Sequence, residues 1–144
     1  MPSVAAVFAL DPRLAVDTHV VGNLEFSRVL LMDDARFPWL ILVPRRAGLR
    51  DLIDLPRDDQ HLLQDEIDRC ARVLHALERP DKLNVAALGN VVAQLHVHVI
   101  ARFVHDAAWP RPVWGVGERT PYSATALDAR ITSLRAALRL NAGA

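Results

Sequence analysis

The chain contains one cysteine, Cys70, in 144 residues. An intramolecular disulfide is therefore excluded, and so is a zinc site built from several thiolates. Cys70 falls at an apolar position of a predicted helix and reads as a buried structural thiol. An excess of either charge is missing too: 17 lysines and arginines face 17 aspartates and glutamates, for a formal net charge of zero. The broad basic footprint with which proteins hold DNA or RNA is absent, whereas a small phosphate ligand needs only a few local donors. Neutral charge also removes one barrier to self-association. No apolar run approaches the ~20 residues of a membrane span. Residues 1–14 have no basic stretch ahead of their apolar ones and meet Asp11 early, unlike a signal peptide. A cytoplasmic location is expected. No internal repeat or low-complexity block occurs, and a content of 51% hydrophobic and 24% charged residues suits one compact soluble domain over 1–144.

What is present is a β-like first half, a long helix and a second β-like stretch. Residues 18–21 and 24–33 are branched and apolar, and the Gly22-Asn23 pair between them predicts a hairpin turn. A third strand is expected over 39–43, ending at Pro44, which cannot donate to a ladder. Between about Asp54 and Glu78, Leu62, Leu63, Ile67, Cys70, Leu74 and Leu77 recur at spacings that make one buried helical stripe. Asp58, Asp59, Asp65, Glu66, Asp68 and Arg72 lie off that stripe and read as a solvated face; Pro80 stops the helix. Strands are expected over 82–88 and 94–103. The segment 106–122 is irregular, and Ser123 or Thr125 can cap a last helix reaching about Leu140. The fold class is α+β: a five-stranded antiparallel sheet with the long helix and the C-terminal helix packed on one side.

Chemistry concentrates in Gln94-Leu95-His96-Val97-His98-Val99-Ile100. Side chains alternate along a strand, so Gln94, His96, His98, Ile100 and Arg102 share one face, with successive members roughly 6.5–7 Å apart. Leu95, Val97, Val99 and Ala101 form a fully apolar reverse face. A lone strand histidine is commonly structural; two at i and i+2 beside a polar residue call for a ligand or a reaction. Gly89-Asn90-Val91 leads into the strand, and a glycine there lets backbone approach a ligand and neighbouring N–H groups form an anion nest. Gly-Asn is also a common turn pair.

The segment Leu83-Asn84 … Gly89 … Gln94-Leu95-His96-Val97-His98-Val99-Ile100 resembles the histidine-triad (HIT) nucleotide-binding family. That family's motif alternates three histidines with apolar residues, a glycine five positions upstream and an asparagine further back. Here the first histidine is Gln94. The end of the second strand at Leu31-Met32-Asp33 and the run into Val43-Pro44-Arg45 agree as well, so the likeness covers about residues 20–105, with 106–144 as an extension. It implies a homodimer that hydrolyses or transfers nucleotidyl groups of a purine nucleotide or nucleotide conjugate, such as a dinucleoside polyphosphate or a phosphoramidate, without a cofactor. His96 is implied as the nucleophile on the α-phosphate and His98 as the residue that contacts phosphate or assists the leaving group. Gly89, Asn90 and Val91 are implied as phosphate contacts, Asn84 as the upstream asparagine, and Asp33 as the holder of ribose hydroxyls. A neutral imidazole can attack phosphorus without a strong base, provided one nitrogen faces the phosphate and the other N–H is held by an acceptor. Glutamine cannot titrate but can position His96 or a phosphate oxygen. Nucleotide binding is expected to survive at Gln94; turnover can be retained, slowed or redirected. A catalytically weak or regulatory nucleotide-binding protein on the same fold is the competing reading.

A third reading is a zinc site formed by the His-x-His pair with His105 or Asp106. Positions 94 and 100, where a third ligand would share the face, hold Gln and Ile and speak against it, so no metal ligand is assigned. His105 and Asp106 otherwise read as a loop surface pair. Trp109 and Trp114 can stack on a base, pack a dimer partner or plug the core. Arg45 and Arg46 can reach phosphate or stay solvated in their loop.

Overall fold

The computed structural model describes residues 6–140. Five strands form one antiparallel sheet in the order β1-β2-β3-β5-β4: β1 (Thr18–Asn23), β2 (Ser27–Met32), β3 (Trp39–Pro44), β4 (Lys82–Ala86) and β5 (Val97–Arg102). Three α-helices accompany them: α1 (Pro12–Asp17), α2 (Arg57–Glu78) and α3 (Ala124–Leu138). The α+β class, the antiparallel sheet, the long helix and the C-terminal helix are as the sequence predicts. Among the described residues, no helix is long and apolar enough to cross a membrane.

Both faces of the sheet are covered, which is why β3 and β5 are buried along their whole length. On one face Leu40, Leu42, Val97 and Val99 meet Leu63, Ile67, Cys70 and Leu74 of α2 and Ile131, Leu134 and Leu138 of α3. On the other, Trp39, Ile41, Val43 and Ile100 meet Leu14 of α1 and Ala108 and Val113 of the irregular segment. That segment thus packs as a second layer. Helix α1, which no apolar period announces, starts because Asp11 accepts the N–H of Arg13 at 2.8 Å and Pro12 presets the first turn.

Four local expectations give way. Gly22 and Asn23 do not form the hairpin turn: both lie in β1, neither has positive φ, and the register shifts between Val20 and Gly22. The connection runs through Leu24, Glu25 and Phe26 because Leu24 and Phe26 are drawn into the core. Glu66, expected on the solvated face of α2, is buried, and its Oε2 accepts the N–H of Phe26 at 2.9 Å. The stripe of α2 is narrower than expected, since Leu62 and Leu77 are exposed. Finally, β5 begins at Val97, so Gln94 and His96 precede the ladder. Cys70 is buried as predicted, and burial together with the charge of Glu66 pushes its thiol up to about 12, which leaves it inert as a nucleophile. At the sheet's β1 edge, the Arg135 guanidinium donates to the carbonyls of Val21 and Val20, occupying groups that another strand would otherwise pair with.

Candidate functional site

Strand β5 lies between β3 and β4, so its side chains are held from both sides. His98 stands across from Ile41 on β3 and Ala86 on β4. His96, one residue before the strand, keeps the alternation, and the two imidazoles meet edge to face with centroids 4.9 Å apart. Both are buried, at 6% and 4% exposure.

Their hydrogen bonds fix different tautomers. Nδ1 of His96 lies 2.6 Å from the main-chain carbonyl of Gln94. A carbonyl only accepts, so Nδ1 carries the hydrogen, and in the neutral ring Nε2 keeps a free lone pair. Nδ1 of His98 accepts the indole N–H of Trp39 at 3.0 Å. An indole N–H only donates, so the hydrogen of neutral His98 sits on Nε2. Burial, with the charge of His96 adding, pushes His98 down to about 3, so the ring is neutral near pH 7. With both rings neutral, the pair therefore holds a bare nitrogen on His96 and an N–H donor on His98.

Residues 89–93 approach this pair without regular structure. Gly89 has φ +80, a backbone conformation that strains any residue with a Cβ. Asn90 and Val91 are exposed, and among the described residues the backbone N–H groups of 90–93 donate to no acceptor within the chain. A cavity of about 290 Å³ opens where this loop begins and ends, lined by His96, Gly89, Gln94, Leu88, Leu52 and Arg50 among others. Of the residues predicted from sequence, Gly89, Gln94 and His96 thus line one cavity.

The Gln94 side chain turns to the N-terminal segment. Its Oε1 accepts the N–H of Asp11 and its Nε2 donates to the carbonyl of Ala9, both at 2.9 Å. Arg13 adds a bond to the carbonyl of Val91 at 3.0 Å. The amide thus pairs with two main-chain groups at once, as a neighbouring strand would, and straps residues 9–13 across the loop. Net hydrogen-bond contributions of about 0.5–1.5 kcal/mol each set the size of this latch. In a Gln94→Ala variant the Asp11 amide is expected to exchange with solvent roughly 10-fold faster or more, read by hydrogen-exchange NMR; an unchanged rate contradicts the latch.

Other candidates are placed elsewhere. Asn84 faces the same side of the sheet, across from Ile100, and its Oδ1 accepts from Arg102 at 2.9 Å. Asp33 stands just beyond β2, where its Oδ1 accepts the N–H of Tyr122 at 3.0 Å and lies 3.1 Å from Nε2 of His19. It is Asp34 that lines a cavity of about 200 Å³ with Trp39 and Trp114, and its carboxylate holds Arg36 and the N–H of Thr120. Asp106 is no surface residue. Its carboxylate pairs with Arg102 at 2.8 Å, the two side chains being 4% and 2% exposed, and accepts the N–H groups of Phe103, Ala108 and Trp109. Burial would raise its pKa; Arg102 and the three N–H donors outweigh that and hold it well below the usual carboxylate range. Among the described residues, no three His, Cys, Asp or Glu side chains converge where they could hold a metal ion. His105 is exposed and lies against Phe103. Arg45 closes the β1–β2 connection through the carbonyls of Leu24 and Glu25, and Arg46 lies over the Phe26 ring at 4.8 Å.

Two aromatic residues complete the site. Trp39, to which no sequence signal gave a role beyond opening β3, is the hydrogen-bond partner of His98. Trp114 stands edge-on to His98 and Trp39, with centroids at 5.0 and 5.7 Å. Trp109 flanks Arg102 at 5.8 Å and Phe37 flanks it at 5.7 Å. The irregular segment thus plugs this face and walls the histidine pair.

The HIT domain family matches residues 13–105. Solved structures that the chain resembles include a histidine triad protein from Bradyrhizobium japonicum, 48% identical, with a TM-score of 0.90 over 92% of this chain and 99% of that one. A histidine triad protein from Marinobacter aquaeolei is 42% identical, with a TM-score of 0.91 over 93% and 98% of the two chains. One from Sinorhizobium meliloti is 41% identical, with a TM-score of 0.87 over 90% and 96%. The curated proteins contain no match. With its sheet order, its histidine pair and these relatives in agreement, the chain belongs to the HIT domain family.

Proposed function

We propose that the chain binds the phosphate of a purine nucleotide or nucleotide conjugate at loop 89–93 and transfers the nucleotidyl group to His96 before water releases it. The observation that carries this reading is the pair of opposed tautomers. Nε2 of His96 is bare because Nδ1–H is held by the Gln94 carbonyl, while Nε2 of His98 carries a hydrogen because Nδ1 accepts from Trp39.

In the first step the Nε2 lone pair of His96 attacks the α-phosphorus. An N–P bond forms as the bond from phosphorus to the leaving atom breaks. The Gln94 carbonyl keeps the Nδ1 hydrogen and favours the positive charge that develops on the ring. The N–H groups of 90–93 serve the non-bridging oxygens, and His98 Nε2–H donates to the leaving atom. Water then attacks phosphorus, the N–P bond breaks, and a nucleoside monophosphate departs with one proton passing to solvent. No step calls on a cofactor.

Within this scheme Gln94 positions: its carbonyl orients His96 and its side chain holds the strap. Asn84 and Asp33 support the site at one remove, Asn84 through Arg102 and Asp33 through the segment leading into α3. Turnover of diadenosine polyphosphates or adenosine phosphoramidate, with His96→Ala as the control, tests the proposal; AMP binding without turnover of either would support a regulatory binder instead.

A homodimer belongs to the same proposal. Strand β4 is an edge of the sheet and its Val85 is about half exposed; just past it Leu88, also about half exposed, shares a cavity with Ile53, which is 87% exposed. A second copy would cover these apolar side chains and pair that edge. Sedimentation at the mass of two chains is the expected result, and a monomer at micromolar concentration contradicts it.

A further inference from the structure

Trp39 acts on the site through one bond. Its indole N–H reaches Nδ1 of His98 at 3.0 Å, both side chains are buried, and Trp114 closes another side of the ring. A second proton on His98 would have to displace the indole hydrogen and would create a cation between two indoles. Among the described residues, no carboxylate is hydrogen-bonded to the ring to offset that charge. His98 therefore has a hydrogen bond to offer but no proton to hand over, since releasing Nε2–H from a neutral ring leaves an imidazolate.

We propose that Trp39, by fixing His98 as a neutral donor, makes the site selective for nucleotide conjugates whose leaving group departs as a stable anion: phosphoanhydrides such as dinucleoside polyphosphates, in preference to phosphoramidates. The inference rests on the nucleotidyl-transfer reading above. With an anhydride, the N–P bond forms, the bridging P–O bond breaks, and the electron pair stays on a terminal phosphate oxygen that needs no proton. With a phosphoramidate, the pair would remain on nitrogen, and an amine leaves only if a proton reaches it as the P–N bond breaks. Trp39 is thus a positioning residue that sets specificity.

The test is kcat/KM for a series of AMP aryl esters that differ only in the acidity of the phenol, alongside diadenosine polyphosphate and adenosine phosphoramidate. The rate is expected to fall steeply as the phenol becomes less acidic, and the phosphoramidate to be slower than the anhydride by on the order of 100-fold or more, the usual worth of a missing general acid. Trp39→Phe keeps the aromatic wall and removes the donor, so the dependence should flatten and the phosphoramidate gain relative to the anhydride. Nitrogen-15 NMR of the imidazoles reads the cause without turnover: Nδ1 of His98 bare and Nε2 protonated in the wild type, a tautomer mixture in the variant. The wild-type series stands even if the variant fails to fold. A rate indifferent to phenol acidity, or a protonated Nδ1 in the wild type, overturns the inference and leaves nucleotidyl transfer standing. No turnover of any substrate overturns both.

Discussion

In a His96→Ala variant, nucleotidyl transfer is expected to fall by at least about 1,000-fold while AMP binding is largely kept. The substitution removes the atom that forms the bond to phosphorus, and no neighbour can take its place. Of the two nitrogens of His98, Nδ1 is covered by the Trp39 N–H and Nε2 carries a hydrogen, so neither offers a lone pair. Gln94 has no basic nitrogen, and its amide is engaged with Ala9 and Asp11. Binding survives because the backbone N–H groups of 90–93 do not depend on the imidazole. Steady-state rates with diadenosine polyphosphate, AMP titration by calorimetry and a thermal unfolding curve for each protein separate the outcomes. Activity unchanged in the variant contradicts the role of His96.

The second large effect is on stability. Replacing Asp106 by alanine is expected to cost about 3–5 kcal/mol, because it leaves the Arg102 guanidinium buried without a counter-charge. The N–H groups of Phe103, Ala108 and Trp109 lose their acceptor in the same step. For a chain of this size that corresponds to a fall in Tm of roughly 10 °C or more. Arg102 also holds Asn84 and the carbonyl of Arg111, and Trp109 lies against it, so the damage reaches the segment that walls the histidines. The pH dependence follows from the sign of the shift. Folding lowers the Asp106 pKa, so its contribution is fully present above the ordinary aspartate value of about 3.9 and is withdrawn as pH falls from there toward the much lower folded value. The Tm gap between wild type and variant should therefore be widest near neutrality and narrow below about pH 4. Thermal unfolding across that range checks both statements; a variant as stable as the wild type at pH 7 contradicts them.

Legibility in the sequence tracked the range of the forces involved. The core of α2, the body of β3, the start of α3 at Ser123 and the shared face of His96 and His98 follow from spacings within a dozen residues, and each is present. The β1–β2 turn departs from expectation because Gly22-Asn23 is a local preference, and burial of Leu24 and Phe26 outweighs it. Glu66 looked solvated because its partner, the Phe26 N–H, lies 40 residues away. The Gln94 departure was visible, but its explanation is a backbone segment 83 residues distant. Trp39 meets His98 across 59 residues, through a strand register that no pattern within either segment encodes. Asp106 reads as a surface loop residue because nothing in the sequence pairs it with Arg102, which appears there only as one of the residues sharing the histidines' strand face. In each of these cases the deciding contact joins segments whose pairing the sequence leaves open.

The central claim, a nucleotide carried covalently on His96, is tested most directly by trapping it. Protein mixed with diadenosine polyphosphate, quenched in alkaline denaturant before the second step completes and then digested, would be read by mass spectrometry. The predicted result is a nucleotidyl adduct on the peptide containing His96, located at that side chain and missing from His96→Ala. An adduct on His98, or turnover with no adduct at any time point, would contradict it.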